Sequence, residues 1–302
     1  MTRFTPIPSQ PGTEAFPIAS IDVGTNTILL LIAKMGEGRL QPLLEVETIV
    51  RLGEDLGKKG VLSEEPMNRA MDTLQRYLDH CQSHHVKHVF AIGTSALREA
   101  KNATQFLQQV KEKLGLSIEV ISGDEEARLS YRSVMEDLQV LDGILAVVDV
   151  GGGSTELILG RGRQIRYWTS LPVGSVRLTE QFLLSDPVQE REWKEMVGRI
   201  EEVFSKIPSV HHEKVTLVAV GGTATTLASV EQRLERFDLQ RVHHFALTRE
   251  ALEKQLDLFK AKTIRQRTGI PGLPSARADV ILAGGAILHR AMAWLNSPSA
   301  LI

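Results

Sequence analysis

Two stretches of the chain, IDVGTNTILLLIAK at Ile21–Lys34 and VDVGGGSTELILGR at Val148–Arg161, have nearly the same pattern. In each of them an apolar run ends in an aspartate, a loop of small residues follows, and a second apolar run begins. Two further segments, VFAIGTSALREA around Gly93 and LVAVGGTATTLA around Gly221, follow their aspartates at almost the same interval. The pattern predicts an internal duplication.

The chemistry of the repeated loop favours an anionic ligand. Glycine lets the main chain approach a ligand closely and exposes successive N–H groups, and Thr, Ser and Asn add further donors, so the loop suits phosphate oxygens. An aspartate at the end of a buried strand requires a cation or a hydrogen-bond donor as its partner. We therefore expect the two loops to face each other across a cleft, with a phosphate chain and a metal ion between them.

Composition excludes several classes of protein. The chain has 302 residues, of which 42% are hydrophobic and 24% charged, and is long enough for two domains. A net charge of -2 argues against a surface dedicated to nucleic acid, and the single cysteine, Cys81, excludes an intramolecular disulfide. The apolar run Ile28–Ala33 is too short to cross a bilayer. We expect a cytoplasmic protein that binds neither nucleic acid nor membrane, and homodimerisation stays open.

Alternating strands and helices are predicted along the chain. Three extended segments between Pro17 and Val50 are typical of antiparallel neighbours, a helix begins near Ser63, and a charged helix begins at Asp124. The second half repeats the hairpin and ends in RADVILAGGAILHRAMAWL, which predicts a helix, a glycine pair and a second helix. The expected parts are a flexible lead-in at 1–16, one domain at 17–140, a second at 141–284, and a C-terminal helix at 285–302 that returns to the first domain.

Two successive hairpin units, each followed by helices, resemble the duplicated actin-like, or ribonuclease H-like, two-domain α/β fold of the sugar kinase, Hsp70 and actin superfamily. Within it, the chain resembles the exopolyphosphatase and guanosine pentaphosphate phosphohydrolase (Ppx/GppA) family. The resemblance is carried by motifs that occur in the family's order: IDVGTNT, GTSALREA, ISGDEEARLSY, VDVGGGSTEL, LPVGSVRLTE, AVGGTATTLA and RADVILAGGAIL. Longer members carry a further helical region, so the resemblance implies a short form with the two-domain core.

The resemblance implies hydrolysis of the terminal phosphoanhydride bonds of inorganic polyphosphate, and also of guanosine pentaphosphate, with Mg²⁺ as the cofactor and Mn²⁺ as the alternative. Hard carboxylate oxygens beside a phosphate are the ligands that Mg²⁺ requires. Asp149 and Glu156, on either side of the second loop, are the expected ligands, and Asp22 is a further contributor through water. The alternative is that Asp149 caps a turn and Glu156 is a solvated strand residue.

Both loops are expected to donate hydrogen bonds to phosphate, through Gly24, Thr25, Asn26 and Thr27 in the first copy and Gly151, Gly152, Gly153, Ser154 and Thr155 in the second. Arg98 is the candidate cation, because a guanidinium binds two oxygens at once. Its alternative is a surface salt bridge with Glu99 or Glu125. The segment 221–223 fits either a contact with nucleotide or a structural role at the floor of the cleft.

Hydrolysis also requires a group that orients or deprotonates water, and a carboxylate is a standard choice. The resemblance assigns this role to a glutamate of ISGDEEARLSY, which we place at Glu126, with Glu125 as the second candidate. The alternative for these acids is stabilisation of a helix N-terminus, which we expect for Asp124. His80 and His84 have helical spacing but no acidic metal-binding motif around them, and we expect them to be exposed.

One position departs from the family's pattern. Members often carry Arg or His after the first loop, where this chain has Leu29. Loss of a cation disfavours long polyphosphate and keeps a shorter or nucleotide-borne phosphate chain open. Two other classes of function also stay open: a nucleotide-dependent kinase or ATPase, which requires an adenosine site in the second half, and a non-catalytic sensor of polyphosphate or guanosine pentaphosphate, which requires no water-activating acid.

Overall fold

The structure is a computed structural model that describes residues 16–36, 39–138, 143–208 and 214–302. The predicted lead-in, except for its last residue, and the predicted domain boundary at 140–141 lie outside the described residues. The described residues form two β-sheets with helices packed against them.

The first sheet has the strand order β3-β2-β1-β4-β5. Its strands are β1 (Ile18–Val23), β2 (Thr27–Gly36), β3 (Arg39–Ile49), β4 (His88–Gly93) and β5 (Ile118–Val120). The strands β1, β2 and β3 are antiparallel neighbours, as predicted, and β4 and β5 run parallel to β1. The helices of this unit are α1 (Leu56–Lys59), α2 (Glu64–Ser83), α3 (Ser95–Glu99) and α4 (Ala103–Leu114). Helix α2 begins after Ser63, as predicted, and buries Ala70, Leu74 and Cys81 against the sheet.

The second sheet has the strand order β10-β11-β9-β6-β7-β8. Its strands are β6 (Ile144–Val150), β7 (Thr155–Arg161), β8 (Gln164–Leu171), β9 (Val215–Val220), β10 (Ala246–Thr248) and β11 (Ser299–Leu301). The helices that follow the first unit are α5 (Gly123–Asp137), α6 (Ser175–Phe182), α7 (Glu190–Phe204), α8 (Gly221–Glu231), α9 (Leu239–Val242), α10 (Arg249–Lys260), α11 (Ile264–Arg267) and α12 (Ile281–Trp294). Strand β6 is buried along nearly its whole length, which explains its continuous apolar sequence.

The two sheets repeat one topology, which confirms the predicted duplication and fold class. The order β3-β2-β1-β4 in the first sheet corresponds to β8-β7-β6-β9 in the second, with the same strand directions. The register also corresponds: Asp22 pairs with Leu29 across the first hairpin, and Asp149 pairs with Glu156 across the second. Leu29 and Glu156 therefore occupy equivalent positions in the two copies.

The position of helix α5 differs from the prediction, which assigned residues up to 140 to the first domain. Its buried face carries Ala127, Tyr131 and Val134, and these side chains pack against Val147 and Ile158 of the second sheet. The helix lies on the second sheet because its apolar stripe is buried there.

The C-terminal segment 285–302 also differs from the prediction, because it stays with the second unit. Helix α12 runs through the glycine pair without a break, and β11 pairs with β9 and β10. The glycines allow close packing: a Cβ at Gly284 would lie 2.7 Å from the Thr223 side chain, and one at Gly285 would lie 3.0 Å from Leu256. Their role is helix packing, and the apolar face of α12 buries the helix in the second core.

Candidate active site

The loop between β1 and β2 and the loop between β6 and β7 line one cavity of about 670 Å³ between the two units. The structure brings most of the predicted site residues to this cavity: Asp22, Gly24, Thr25, Asn26, Thr27, Glu126, Asp149, Gly151, Gly152, Gly153, Ser154 and Glu156 all line it. The sequence-based expectation that the loops face each other is therefore met by the geometry.

The first loop is held by the segment that follows β3. Its turn is closed by the N–H of Gly24, which donates to the Thr27 carbonyl at 3.0 Å. The Asn26 carbonyl accepts from the N–H of Val50 at 2.9 Å, and the Thr25 carbonyl accepts from the N–H of Gly53 at 2.9 Å. Because a trans peptide directs its N–H opposite to its carbonyl, these bonds turn the following N–H groups away from that segment.

The second loop is held in the same way by the N-terminus of α6. The N–H of Gly151 closes the turn on the Ser154 carbonyl at 3.0 Å. The carbonyls of Gly151 and Gly152 accept from the N–H groups of Ser175 and Val176 at 2.9 and 3.0 Å. These otherwise unpaired N–H groups of the helix are satisfied by the loop, and the loop's own N–H groups face the other way.

The two loops also contact each other, and glycine is required for this. A Cβ at Gly152 would lie 3.2 Å from side-chain atoms of Thr25 and Asn26, and one at Gly153 would lie 2.7 Å from the Ser95 hydroxyl. A larger residue at either position would separate the units at the cavity.

Carboxylates from both copies and from α5 meet at this cavity. Glu156 is 2% exposed and accepts hydrogen bonds from the hydroxyls of Ser154 and Ser170 at 2.8 and 2.7 Å. The Oδ1 atoms of Asp22 and Asn26 are buried and have no hydrogen-bond partner in the part of the chain that the structure describes. Buried acceptors without donors indicate a site built for a cation or a donor that is bound there.

The carboxylates raise one another's pKa because they lie together at one partly enclosed cavity. Burial, with repulsion from Glu126, raises the pKa of Asp22 to about 7. Burial, with repulsion from Glu126 and Asp22, likewise raises the pKa of Asp149 to about 7. The pKa of Glu156 is also raised, chiefly by burial and then by Glu126. Such a concentration of negative charge requires protons or a cation for compensation.

These residues fit a magnesium ion. Among the described residues, three ligand atoms within 4.8 Å of one another are found only at Asp137, His243 and His244, so the cleft carboxylates do not form a closed protein cage. Mg²⁺ usually takes one or two carboxylates and keeps waters or substrate phosphate oxygens as its other ligands. Asp149 and Glu156, which face each other in register, suit this open coordination.

Glu126 lies in the first turn of α5 and forms an ion pair with Arg98, whose NH1 is 2.5 Å from its carboxylate. Arg98 also donates to the Ile121 carbonyl at 3.1 Å. Arg98 therefore pairs with Glu126, and not with Glu99 or Glu125, the partners expected if Arg98 formed a surface salt bridge instead of binding phosphate. Glu125 does not line the cavity, and its N–H donates to the capping hydroxyl of Ser122 at 3.2 Å.

Other predicted residues have structural tasks. Thr155 is fully buried and does not line the cavity, because its hydroxyl donates to the Val173 carbonyl at 2.7 Å. Gly221 has φ +85°, and a Cβ there would lie 2.6 Å from Asp149 Oδ1, so glycine lets α8 approach that carboxylate. Asp124 lies in the first turn of α5, where an acid that stabilises the helix N-terminus was expected, and it also forms an ion pair with Arg128 at 2.9 Å.

Sequence reasoning missed Arg277 and two glutamates of β3. Arg277 forms a short ion pair with Glu47 across the units, and both side chains line the cavity together with Glu45. Arg277 begins the motif RADVILAGGAIL, but only the fold places it opposite β3. A second cavity of about 840 Å³ adjoins this ion pair and is lined partly by the apolar residues Leu234, Phe237, Ile270, Leu273 and Pro274.

The histidines lie outside the cleft. His80 is exposed near the end of α2, as predicted, whereas His84, which was also expected to be exposed, is partly buried. His243 and His244, whose loop had no sequence-based interpretation, stack at 4.0 Å between ring centroids, and both contact the carboxylate of Asp137. Their Nε2 atoms lie 3.3 and 2.7 Å from Oδ1 and Oδ2 of Asp137. None of the described helices is both long and apolar enough to span a membrane.

A duplicated two-domain α/β fold, with two facing glycine-rich loops and several carboxylates at the cavity between them, is the architecture of the actin-like superfamily. Comparison with known proteins narrows this class. The Ppx/GppA phosphatase family model matches residues 31–302. The chain belongs to the Ppx/GppA family.

Individual relatives agree with this membership. Exopolyphosphatase 2 of Mycobacterium tuberculosis is 34% identical over 289 residues, which cover 91% of this chain and 89% of the relative. A guanosine-5'-triphosphate,3'-diphosphate pyrophosphatase of Vibrio vulnificus is 33% identical over 89% of this chain and 53% of its own length. The crystal structure of the Aquifex aeolicus family member has a TM-score of 0.79 and 36% identity, covering 95% of this chain and 93% of its own. The chain spans about half the length, or less, of some of the relatives it matches.

Proposed function

We propose that this protein is a magnesium-dependent hydrolase that removes the terminal phosphoryl group from inorganic polyphosphate. The observation that supports this most directly is the set of loop N–H groups and buried carboxylates that face one cavity. The donors suit phosphate oxygens, and the carboxylate of Glu126 suits a water molecule beside them.

In the proposed reaction, the terminal phosphate lies between the two loops. The N–H groups of both loops donate to its oxygens and stabilise the charge that develops on them. Glu126 orients the attacking water and accepts its proton, while Arg98 holds the Glu126 carboxylate in place through their ion pair. Water attacks phosphorus, the phosphoanhydride bond breaks, and the shortened chain leaves as the other product.

The metal would be held by Asp149 and Glu156, with Asp22 contributing through water. When bound, Mg²⁺ supplies positive charge that offsets the charge of the phosphate oxygens and of the carboxylates. The hydroxyls of Ser154 and Ser170 fix the orientation of Glu156 for this purpose.

The test is Glu126→Gln, which keeps the shape and a hydrogen-bond acceptor for Arg98 but removes the base. We expect phosphate release from polyphosphate to fall by about 10²- to 10⁴-fold, with substrate binding largely intact. Glu125→Gln is the matched control, because the neighbouring side chain does not line the cavity. Equal turnover in wild type and Glu126→Gln would remove Glu126 from the mechanism.

Guanosine pentaphosphate is a second candidate substrate, and the second cavity favours it. That cavity adjoins the cleft at Arg277 and Glu47, and its apolar walls suit a nucleoside attached to the phosphate chain. Phosphate release measured side by side on long polyphosphate, tripolyphosphate, guanosine pentaphosphate and ATP distinguishes these substrates. ATP consumption that requires an acceptor would indicate a kinase, and binding without single-turnover release would indicate a sensor.

A further inference from the structure

The side chain of Arg177 joins the second loop to the first unit. Its Nε donates to the carbonyl of Gly153 at 2.7 Å, and its NH2 donates to the carboxylate of Glu99, at the end of α3, at 2.5 Å. The other oxygen of Glu99 accepts from the hydroxyl of Ser95 at 3.0 Å. A continuous chain of polar contacts therefore runs from the second loop to α3. Arg177 belongs to the motif LPVGSVRLTE, which has no role in the reaction proposed above.

Arg177 completes the orientation of the second loop. The backbone N–H groups of Ser175 and Val176 bind the carbonyls of Gly151 and Gly152, whereas the carbonyl of Gly153 is bound by a side chain. Because peptide units are planar and trans, this bond turns the N–H of Ser154 away from Arg177. In the described part of the chain, that N–H has no protein acceptor. The third donor of the loop thus depends on one guanidinium.

The same guanidinium acts on α3. This five-residue helix carries Arg98, which binds Glu126, and it ends at Glu99, which binds Arg177. Arg177 is 20% exposed and its planar group binds two acceptors in different directions, a geometry that a lysine cannot reproduce. Arg177 therefore contacts both the second loop, which is proposed to bind phosphate, and the helix that carries Arg98, the partner of Glu126.

We propose that Arg177 is a positioning residue for the reaction. It holds the third peptide unit of the second loop and docks that loop on α3, so that the loop donors and Glu126 act on the same phosphoryl group. This inference rests on the proposed function.

A plain interface contact is the competing explanation, and the structure offers a control for it. Arg51 forms a bidentate pair with Asp279 across the same two units, at 2.7 and 2.9 Å. Among the described residues, the Asp279 side chain forms its hydrogen bonds with Arg51 and with no residue of either loop. A residue that only holds the units together should behave like Asp279, whereas a positioning residue should not.

The experiment compares Arg177→Ala, Arg177→Lys and Asp279→Ala with wild type, using steady-state phosphate release from tripolyphosphate and thermal unfolding. For Arg177→Ala we expect kcat to fall by about 10- to 100-fold and KM to change by less than about threefold, because the lost donor acts mainly in the transition state. Arg177→Lys should recover part of kcat. Asp279→Ala should keep kcat within about threefold at a similar loss of Tm.

A double-mutant cycle with Glu99→Gln tests the contact to α3. Because Arg177 and Glu99 act together, the double variant Arg177→Ala/Glu99→Gln should lose no more kcat than Arg177→Ala alone. Additive losses would overturn the proposal, and so would Arg177→Lys with full activity or an equal loss of kcat in Asp279→Ala. If Arg177→Ala does not fold, the kcat values of Arg177→Lys and Glu99→Gln test the proposal in its place, and a kcat equal to that of wild type in both would overturn it. Wild type that releases no phosphate from any substrate would instead refute the proposed function.

Discussion

Asp22→Asn should stabilise the metal-free protein, and the gain should depend on pH. Asp22 is partly buried, its enclosed Oδ1 has no hydrogen-bond partner among the described residues, and its pKa is raised from 3.8 to about 7. The folded protein therefore binds a proton at this site more tightly than the unfolded chain does. The resulting cost of the charge is absent below about pH 4, grows as the pH rises towards 7, and is complete above it.

The magnitude follows from the difference between the ordinary pKa of 3.8 and the pKa of about 7 in the folded protein. At 1.36 kcal/mol for each unit, the ionised carboxylate costs the folded state about 4 kcal/mol at pH 8. At pH 5 the carboxyl is still protonated in the folded protein, and the cost is limited to about 1.6 kcal/mol. Asn is neutral at both pH values, so Asp22→Asn should gain about 2.5 kcal/mol more at pH 8 than at pH 5.

The assay is urea-induced unfolding in the presence of a chelator at both pH values. Asp72→Asn is the matched control, because Asp72 is exposed on α2, and we expect it to change the free energy of unfolding by less than about 0.5 kcal/mol at either pH. Excess Mg²⁺ should remove most of the gain of Asp22→Asn, because the ion compensates the carboxylates of the wild type. An equal gain at both pH values, or a loss at pH 8 without metal, would refute this account of the carboxylates.

Two further predictions concern the metal and the substrate. Glu156→Gln should raise the Mg²⁺ concentration required for half-maximal phosphate release by roughly tenfold or more, because a ligand is lost; an unchanged magnesium titration would exclude Glu156 as a ligand. Leu29→Lys should raise kcat/KM for long polyphosphate severalfold relative to tripolyphosphate, because it adds a cation at the cavity wall beside Glu47; an unchanged ratio of the two kcat/KM values would show that charge at this position does not select chain length.

Much of the fold could be predicted because local patterns agree with it. The aspartates at strand ends, the hairpins and the start of α2 after Ser63 depend on residues close in sequence. The glycine pair of α12 was misinterpreted, because a close helix contact and a helix break have the same local sequence signal. The position of α5 on the second sheet depends on which apolar face is available, and the sequence does not contain that information locally.

The same distinction between local and long-range information applies to the residues of the candidate site. Residues within a loop motif could be assigned to the cavity from their sequence, but contacts between distant segments could not. The partner of Arg98 proved to be Glu126, and the pairing of Arg277 with Glu47 joins positions from different units. Thr155 was expected to face phosphate, yet strand alternation turns it inward to Val173.

The capture of loop carbonyls by a downstream segment has a consequence for comparing sequences. Asn26 is bound from Val50, Gly151 from Ser175 and Gly153 from Arg177, and each of these pairs is separated by 24 residues. Each loop motif is therefore a bipartite signal, whose second part lies 24 residues further along the chain. A search pattern that requires both parts at this spacing should identify the chains in which the loop can be oriented. It should exclude chains that contain the glycine-rich loop without the segment that binds its carbonyls.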